Sequence, residues 1–172
     1  MDEELDAAAH RELTEETGVG AAEFLEQLYT FGGLGRDPRT RVISVAYYAL
    51  LPEPPLAPAA GTDAAAAQWW PIDALPKLAF DHETILTKAL ERLRAKLGYT
   101  SVTYALLPEE FTLTELQTIY EIILGRELDK RNFRKKMQAT DLLEGLEKQR
   151  RGGAHRPAQL FRFTTRQPVF LD

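Results

Sequence analysis

Apolar positions recur along the chain in two rhythms, one helical and one strand-like. Over 2–17 they fall at Leu5, Ala8, Ala9 and Leu13, one face of a helix. Asp2 stands where it can cap that helix, Glu3 and Glu4 favour its first turn, and Gly18 is placed to end it. The runs 24–31 (FLEQLYTF) and 41–51 (RVISVAYYALL) are rich in β-branched and aromatic residues and predict strands, with the loop Gly32–Arg39 between them. Residues 52–66, with four prolines among alanines, read as a flexible surface excursion, and 68–72 (QWWPI) as a short strand.

The helical rhythm returns over about 82–97, where Ile85, Leu86, Ala89, Leu90 and Leu93 share a face and Gly98 is placed to stop the helix. Residues 98–107 read as an inter-domain connection, dividing the chain into 1–98 and 99–172. Two helices follow, about 113–124 and 129–138, separated by four residues from Gly125 to Leu128. Thr112 with Glu115 forms a capping box for the first, and Asp129 caps the second. The segments 142–149 and 158–164 predict two strands around a basic turn, Gln149 to Pro157.

Composition changes this picture in two ways. The chain has no cysteine, so disulfides and thiolate metal sites are excluded, which fits a cytoplasmic protein. No apolar run approaches the ~20 residues of a membrane span, and 1–20 has no signal-peptide pattern. Charge is unevenly spread. Residues 1–95 hold 8 Lys+Arg against 16 Asp+Glu, whereas 130–166 hold 11 basic residues against Asp141, Glu144 and Glu147. Such asymmetry makes the second half the candidate for contact with nucleic acid.

The acidic half carries a definite constellation. In a helix, Glu12, Glu15 and Glu16 stand at i, i+3 and i+4, so their carboxylates share a face and repel one another. A hard cation such as Mg²⁺ offsets that repulsion and can then grip a diphosphate, while Arg11 pairs with a neighbouring glutamate and holds it in place. Glu3, Arg11, Glu12, Leu13, Glu15, Glu16, Gly18 and Val19 together resemble the Nudix box, G-x5-E-x7-R-E-U-x-E-E-x-G-U, from its first glutamate onward. The resemblance implies hydrolysis of a nucleoside diphosphate linked to another group, with Glu12, Glu15 and Glu16 on Mg²⁺ or Mn²⁺ and one carboxylate assisting water. The box glycine falls before Met1, as do the family's early strands, so the chain is expected to be an N-terminally incomplete Nudix domain.

In the basic half, a capped helix, a short turn, a second helix and a strand hairpin follow the order of a winged helix-turn-helix. On the second helix Phe133 and Met137 face the core at i and i+4, and Lys130, Arg131, Arg134 and Lys135 face outward. Lys130, Arg131, Asn132, Arg134 and Lys135 are the candidate contacts to duplex DNA, with Arg150, Arg151 and Arg156 in the wing. A basic but purely structural helical domain is the competing reading.

The two halves together resemble the NrtR family, the Nudix-related transcriptional regulators of NAD metabolism. The resemblance is carried by Gly35–Arg39, the segment 78–82 (LAFDH), 111–117 (FTLTELQ), 130–134 (KRNFR) and 156–158 (RPA). It implies an α+β chain in which an incomplete Nudix α/β/α sandwich with a mixed sheet precedes a winged helix. It also implies a homodimer that binds double-stranded operator DNA and is released by ADP-ribose or a related nucleoside diphosphate. The alternative is a Nudix hydrolase, an ADP-ribose pyrophosphatase, with an accessory C-terminal domain. Arg36 and Arg39 are candidates for ligand phosphates or are solvated. Asp81 and His82 are candidates for a place near the diphosphate, although Asp81 equally suits a cap for the 82–97 helix. Trp69 and Trp70 stack on a base or lend one ring to the core, and His155 is a phosphate contact or solvated.

Overall fold

The computed structural model describes residues 3–20, 22–52, 68–150 and 157–171. It divides into two compact units, residues 1–92 and 93–172, against the 98/99 division expected from sequence.

The first unit contains helix α1 (Leu5–Thr17), strands β1 (Phe24–Phe31) and β2 (Ser44–Leu50), and most of helix α2 (His82–Tyr99). The N-cap of α1 is Glu4, with no side-chain capping bond; Asp2, the expected cap, lies outside the described residues. Gly18 ends α1 as expected, in the left-handed region at φ 66°, with its N–H on the Thr14 carbonyl. β1 and β2 pair antiparallel from Phe24↔Leu50 to Phe31↔Ser44, with a bulge between Gln27 and Tyr29. The extra residue, Leu28, reverses the inward-facing parity, so Phe24, Leu28 and Phe31 are all buried although strict alternation would turn Phe31 outward. Arg92 answers the bulge from α2, donating to the Leu28 carbonyl at 3.2 Å and pairing with Glu26.

Three expectations fail here. β2 starts at Ser44 rather than 41, because Arg41 turns back to donate to the Gly33 carbonyl. Residues 68–72 form no strand: they have no ladder partner among the described residues, and Pro71 has no N–H to offer one. Gly98 does not stop α2, which runs on through Tyr99 with the Thr100 N–H on the Lys96 carbonyl.

The second unit contains a 3-10 turn (Val102–Leu106), strand β3 (Phe111–Thr112), helices α3 (Leu113–Leu124) and α4 (Lys130–Gln138), and strands β4 (Leu143–Arg150) and β5 (Ala158–Phe163). Its antiparallel sheet has the order β3-β5-β4. The 98–107 stretch is no loose connection. Val102, Tyr104, Ala105 and Leu107 are buried with Phe111, Leu116, Phe133, Met137 and Phe161, and Thr100 forms an isolated bridge with Phe170. β3 was not expected, since two residues carry no periodicity and exist as a strand only through β5.

Both helices of the second unit are capped as the sequence predicts. Thr112 and Glu115 complete their capping box, and Asp129 accepts from the Asn132 N–H at 2.8 Å. The turn between α3 and α4 is held by the Glu121 carboxylate, which accepts from the Leu128 N–H and from Gln117, each at 2.9 Å. Those donors lower the Glu121 pKa, the Leu128 N–H most. Tyr120 stacks edge-on to Phe133 at 5.2 Å and locks the helix pair.

Candidate functional site

The acidic face of α1 is organised by Arg11. Its guanidinium lies 2.8 Å from Glu12 and 2.8 Å from Glu15, and its Nη2 donates to Glu3 at 3.0 Å. Its hydrogen bonds to the carboxylates of Glu3, then Glu12 and Glu15, raise the Arg11 pKa further above its ordinary value. The expected pairing is therefore present and also reaches back eight residues to Glu3, just before the start of α1. Glu12 and Glu16 also border a groove of ≈ 410 Å³ that α1 forms with β1 and β2, floored by Ala9, Leu13, Leu25 and Val45. Tyr47 on β2 donates to Asp6 at 2.6 Å and ties the helix to the sheet.

The donor set suits a hard cation. Glu12 and Glu15 each give one oxygen to Arg11 and keep the other, and both are about half exposed. No group of three such ligands is drawn close enough to hold a metal among the described residues. The carboxylates thus match Mg²⁺ or Mn²⁺ by chemistry and face, without forming a closed cage.

The second set of candidates, on the loop before β2 and at the start of α2, is internally paired. Arg36 donates through Nε and Nη2 to both oxygens of Asp81, at 2.5 and 3.1 Å, and through Nη1 to the Phe31 carbonyl and Ser44. Asp81 thus starts α2 with its carbonyl, accepting from the Ile85 N–H, while its carboxylate serves Arg36 rather than a cap. The guanidinium lowers the Asp81 pKa. Arg39 is held by Asp37, whose carboxyl falls to about 2, and lies 5.5 Å from the ring of Phe80. Phe80 has φ 50°, an unusual conformation for a bulky residue, and His82 is exposed at 6.1 Å from its ring. Phe80 lies in the 78–82 segment that carried the resemblance, but only Asp81 and His82 of that segment were named as site candidates. Trp69 and Trp70 are both about half exposed, so neither ring is given over to the core.

The structure brings most of the basic candidates together. Lys130, Arg131, Arg134 and Lys135 share the outer face of α4 with Gln138. Lys130 and Arg134 also line a recess of ≈ 950 Å³ between α3, α4 and the wing strands, together with Arg150, Thr114 and Gln159. Asn132 stands apart: it borders a different hollow with Arg94, Tyr120 and Met137. Arg151, Arg156 and His155 lie outside the described residues. Gln138 was missed, although its i+4 spacing from Arg134 gave the signal.

Comparison with known proteins places this geometry. A NUDIX domain family model matches residues 1–92, and a model of the NrtR DNA-binding winged helix domain matches residues 103–163. The chain is 40% identical over 165 residues to an ADPR responsive transcriptional repressor NtrR of Acinetobacter baylyi, covering 95% of this chain and 65% of that protein. It is 38% identical over 84 residues to an ADP-ribose pyrophosphatase of Methanocaldococcus jannaschii, covering 49% of this chain and 48% of the relative. The chain therefore spans only part of the length of both. Among solved structures it is similar to Shewanella oneidensis NrtR complexed with a 27mer DNA, at TM-score 0.78 and 32% identity over 95% of this chain and 74% of that one. A MutT/nudix family protein from Enterococcus faecalis matches at TM-score 0.76 and 29% identity, over 95% and 70% of the two chains. No helix among the described residues is long and apolar enough to cross a membrane.

Proposed function

Because the chain belongs to the NrtR family, we propose that it serves as an ADP-ribose-responsive regulator of transcription in NAD metabolism, with the Nudix unit sensing the effector and the winged helix binding operator DNA. The observation that carries this reading is the basic outer face of α4. Four cations at helical spacing stand on a capped helix whose other face is fixed in the core by Phe133 and Met137. Such a face supplies the phosphate contacts that fix a helix on a duplex. The names of the Acinetobacter and Shewanella relatives support the same ligand and partner.

On the effector side, Glu12, Glu15 and Glu16 would hold a Mg²⁺ or Mn²⁺ ion, which supplies positive charge against a diphosphate. Arg11 keeps Glu12 and Glu15 turned to one side of the helix. Arg36 and Asp81 build the loop, while Arg39, exposed beside Phe80, would turn to a phosphate by giving up its pairing with Asp37. Regulation follows from linkage: ADP-ribose that binds one arrangement of a homodimer better than another weakens DNA binding by the same factor that DNA weakens ADP-ribose binding.

Hydrolysis of ADP-ribose is the second reading, and the intact Arg11–Glu3–Glu12–Glu15 network favours it. The test of the leading reading is duplex binding measured by fluorescence anisotropy across a salt series. Replacing Lys130 and Arg134 with Gln should weaken binding and flatten the salt slope by about 2, roughly 0.9 per lost phosphate contact. A slope unchanged by both substitutions would remove α4 from the interface.

A further inference from the structure

One acidic side chain sits among the cations of the α3–α4–wing recess. Glu115 is the single carboxylate among the described residues lining it, and it forms an ion pair with Arg150 at the end of β4. Its position is fixed from behind, because its other oxygen accepts the Thr112 N–H at 2.7 Å in the capping box of α3. Arg150 is held a second time, donating through Nη2 to the Glu110 carbonyl at 3.0 Å. Across the recess Arg134 donates to Thr114 through Nη2 at 3.3 Å, and its Nε is buried without an acceptor among the described residues. Among the described residues, cations therefore converge on a recess open to solvent, and the one contributed by β4 is already paired with a carboxylate.

We propose that Glu115 stands in for a DNA phosphate on Arg150, so that the wing arginine is released to the duplex only when a phosphate displaces the carboxylate. This rests on the DNA-binding reading above and adds a residue to it. A carboxylate and a phosphodiester oxygen make the same charge-assisted bonds to a guanidinium, so the two exchange on one donor. The capping box prevents Glu115 from following Arg150 outward, and the exchange therefore opposes binding. The ion pair also fastens the wing strand to the first turn of α3, which presents Arg150 at the recess edge before DNA arrives.

The experiment uses the full chain and a fluorescent duplex of arbitrary sequence, with anisotropy read from low to physiological salt. Glu115→Gln keeps an oxygen for the Thr112 N–H, since glutamine also completes a capping box, but gives up the charge. The expected result is a steeper salt slope by about 0.9 and about fivefold tighter binding near 0.15 M salt, because no freed carboxylate takes up a cation to offset the one released from the DNA. In an Arg150→Gln background the same change should do nothing. That arm separates displacement from a general loss of negative charge, which would tighten binding in both backgrounds. Should Glu115→Gln melt out, Glu115→Ala carries the same expectation, because the Thr112 hydroxyl still caps the Glu115 N–H. Weaker or unchanged binding by the substituted protein, or equal tightening without Arg150, overturns the proposal while leaving the DNA reading intact. Absence of duplex binding by the unsubstituted chain overturns both.

Discussion

At the scale of single residues, two arginines carry much of the order in the first unit. Arg11 gathers Glu3, Glu12 and Glu15, and Arg36 gathers Asp81, Ser44 and the Phe31 carbonyl. The Arg11–Glu15 part of the first arrangement was legible in the sequence, because residues i and i+4 share a helix face. The second was not. Arg36 and Asp81 are 45 positions apart, and both read equally well as ligand contacts until the fold paired them. Under the hydrolytic reading, Glu15→Gln with Mg²⁺ present should cut AMP release from ADP-ribose by about 10²-fold or more, measured by chromatography of products. Full activity would take Glu15 out of the site. Asp37 supplies a pH test. Its folded pKa of about 2 lies below the ordinary 3.8, so its contribution to stability is complete above 3.8 and lost as pH falls toward 2. Asp37→Asn should therefore reduce the acid dependence of the melting temperature in that window; an unaltered profile would mean the Asp37–Arg39 pair does not survive in solution.

Elements were legible where their ends carry chemistry. Gly18 and Gly125 both take the left-handed conformation that closes a helix, and Thr112 and Asp129 both cap with their side chains. Gly98 misled for a related reason: a glycine permits a stop but does not impose one, and the backbone bond from Thr100 to Lys96 carries the helix past it. Strands were harder, since a strand is defined by its partner. β3 exists through two residues facing β5, and 68–72 looks like a strand with no partner beside it among the described residues. Two substitutions test the winged-helix elements. Thr112→Ala should lower stability by about 1 kcal/mol in urea unfolding, the usual cost of losing a cap. Glu121→Gln should loosen the α3–α4 turn and speed amide exchange at Leu128, which donates to that carboxylate. Exchange at Leu128 as slow as in the unsubstituted protein would show that other bonds hold the turn.

For the whole molecule, the sequence already separated an acidic first half from a basic second half, and the two family models divide it the same way. Periodicity supported the winged-helix order, and the Nudix assignment came from the spacing of Glu3, Arg11, Glu12, Glu15 and Glu16. How an effector on one unit acts on the other was beyond sequence, because coupling belongs to the relative stability of two arrangements rather than to any motif. Under the proposed function, ADP-ribose and DNA are bound antagonistically by one chain. The most direct measurement is the duplex dissociation constant at fixed salt over a series of ADP-ribose concentrations with Mg²⁺ present, paired with the ADP-ribose dissociation constant over a series of duplex concentrations. Antagonism through linkage predicts that each ligand weakens the other by the same factor. A duplex affinity that holds constant while ADP-ribose saturates its site would contradict it.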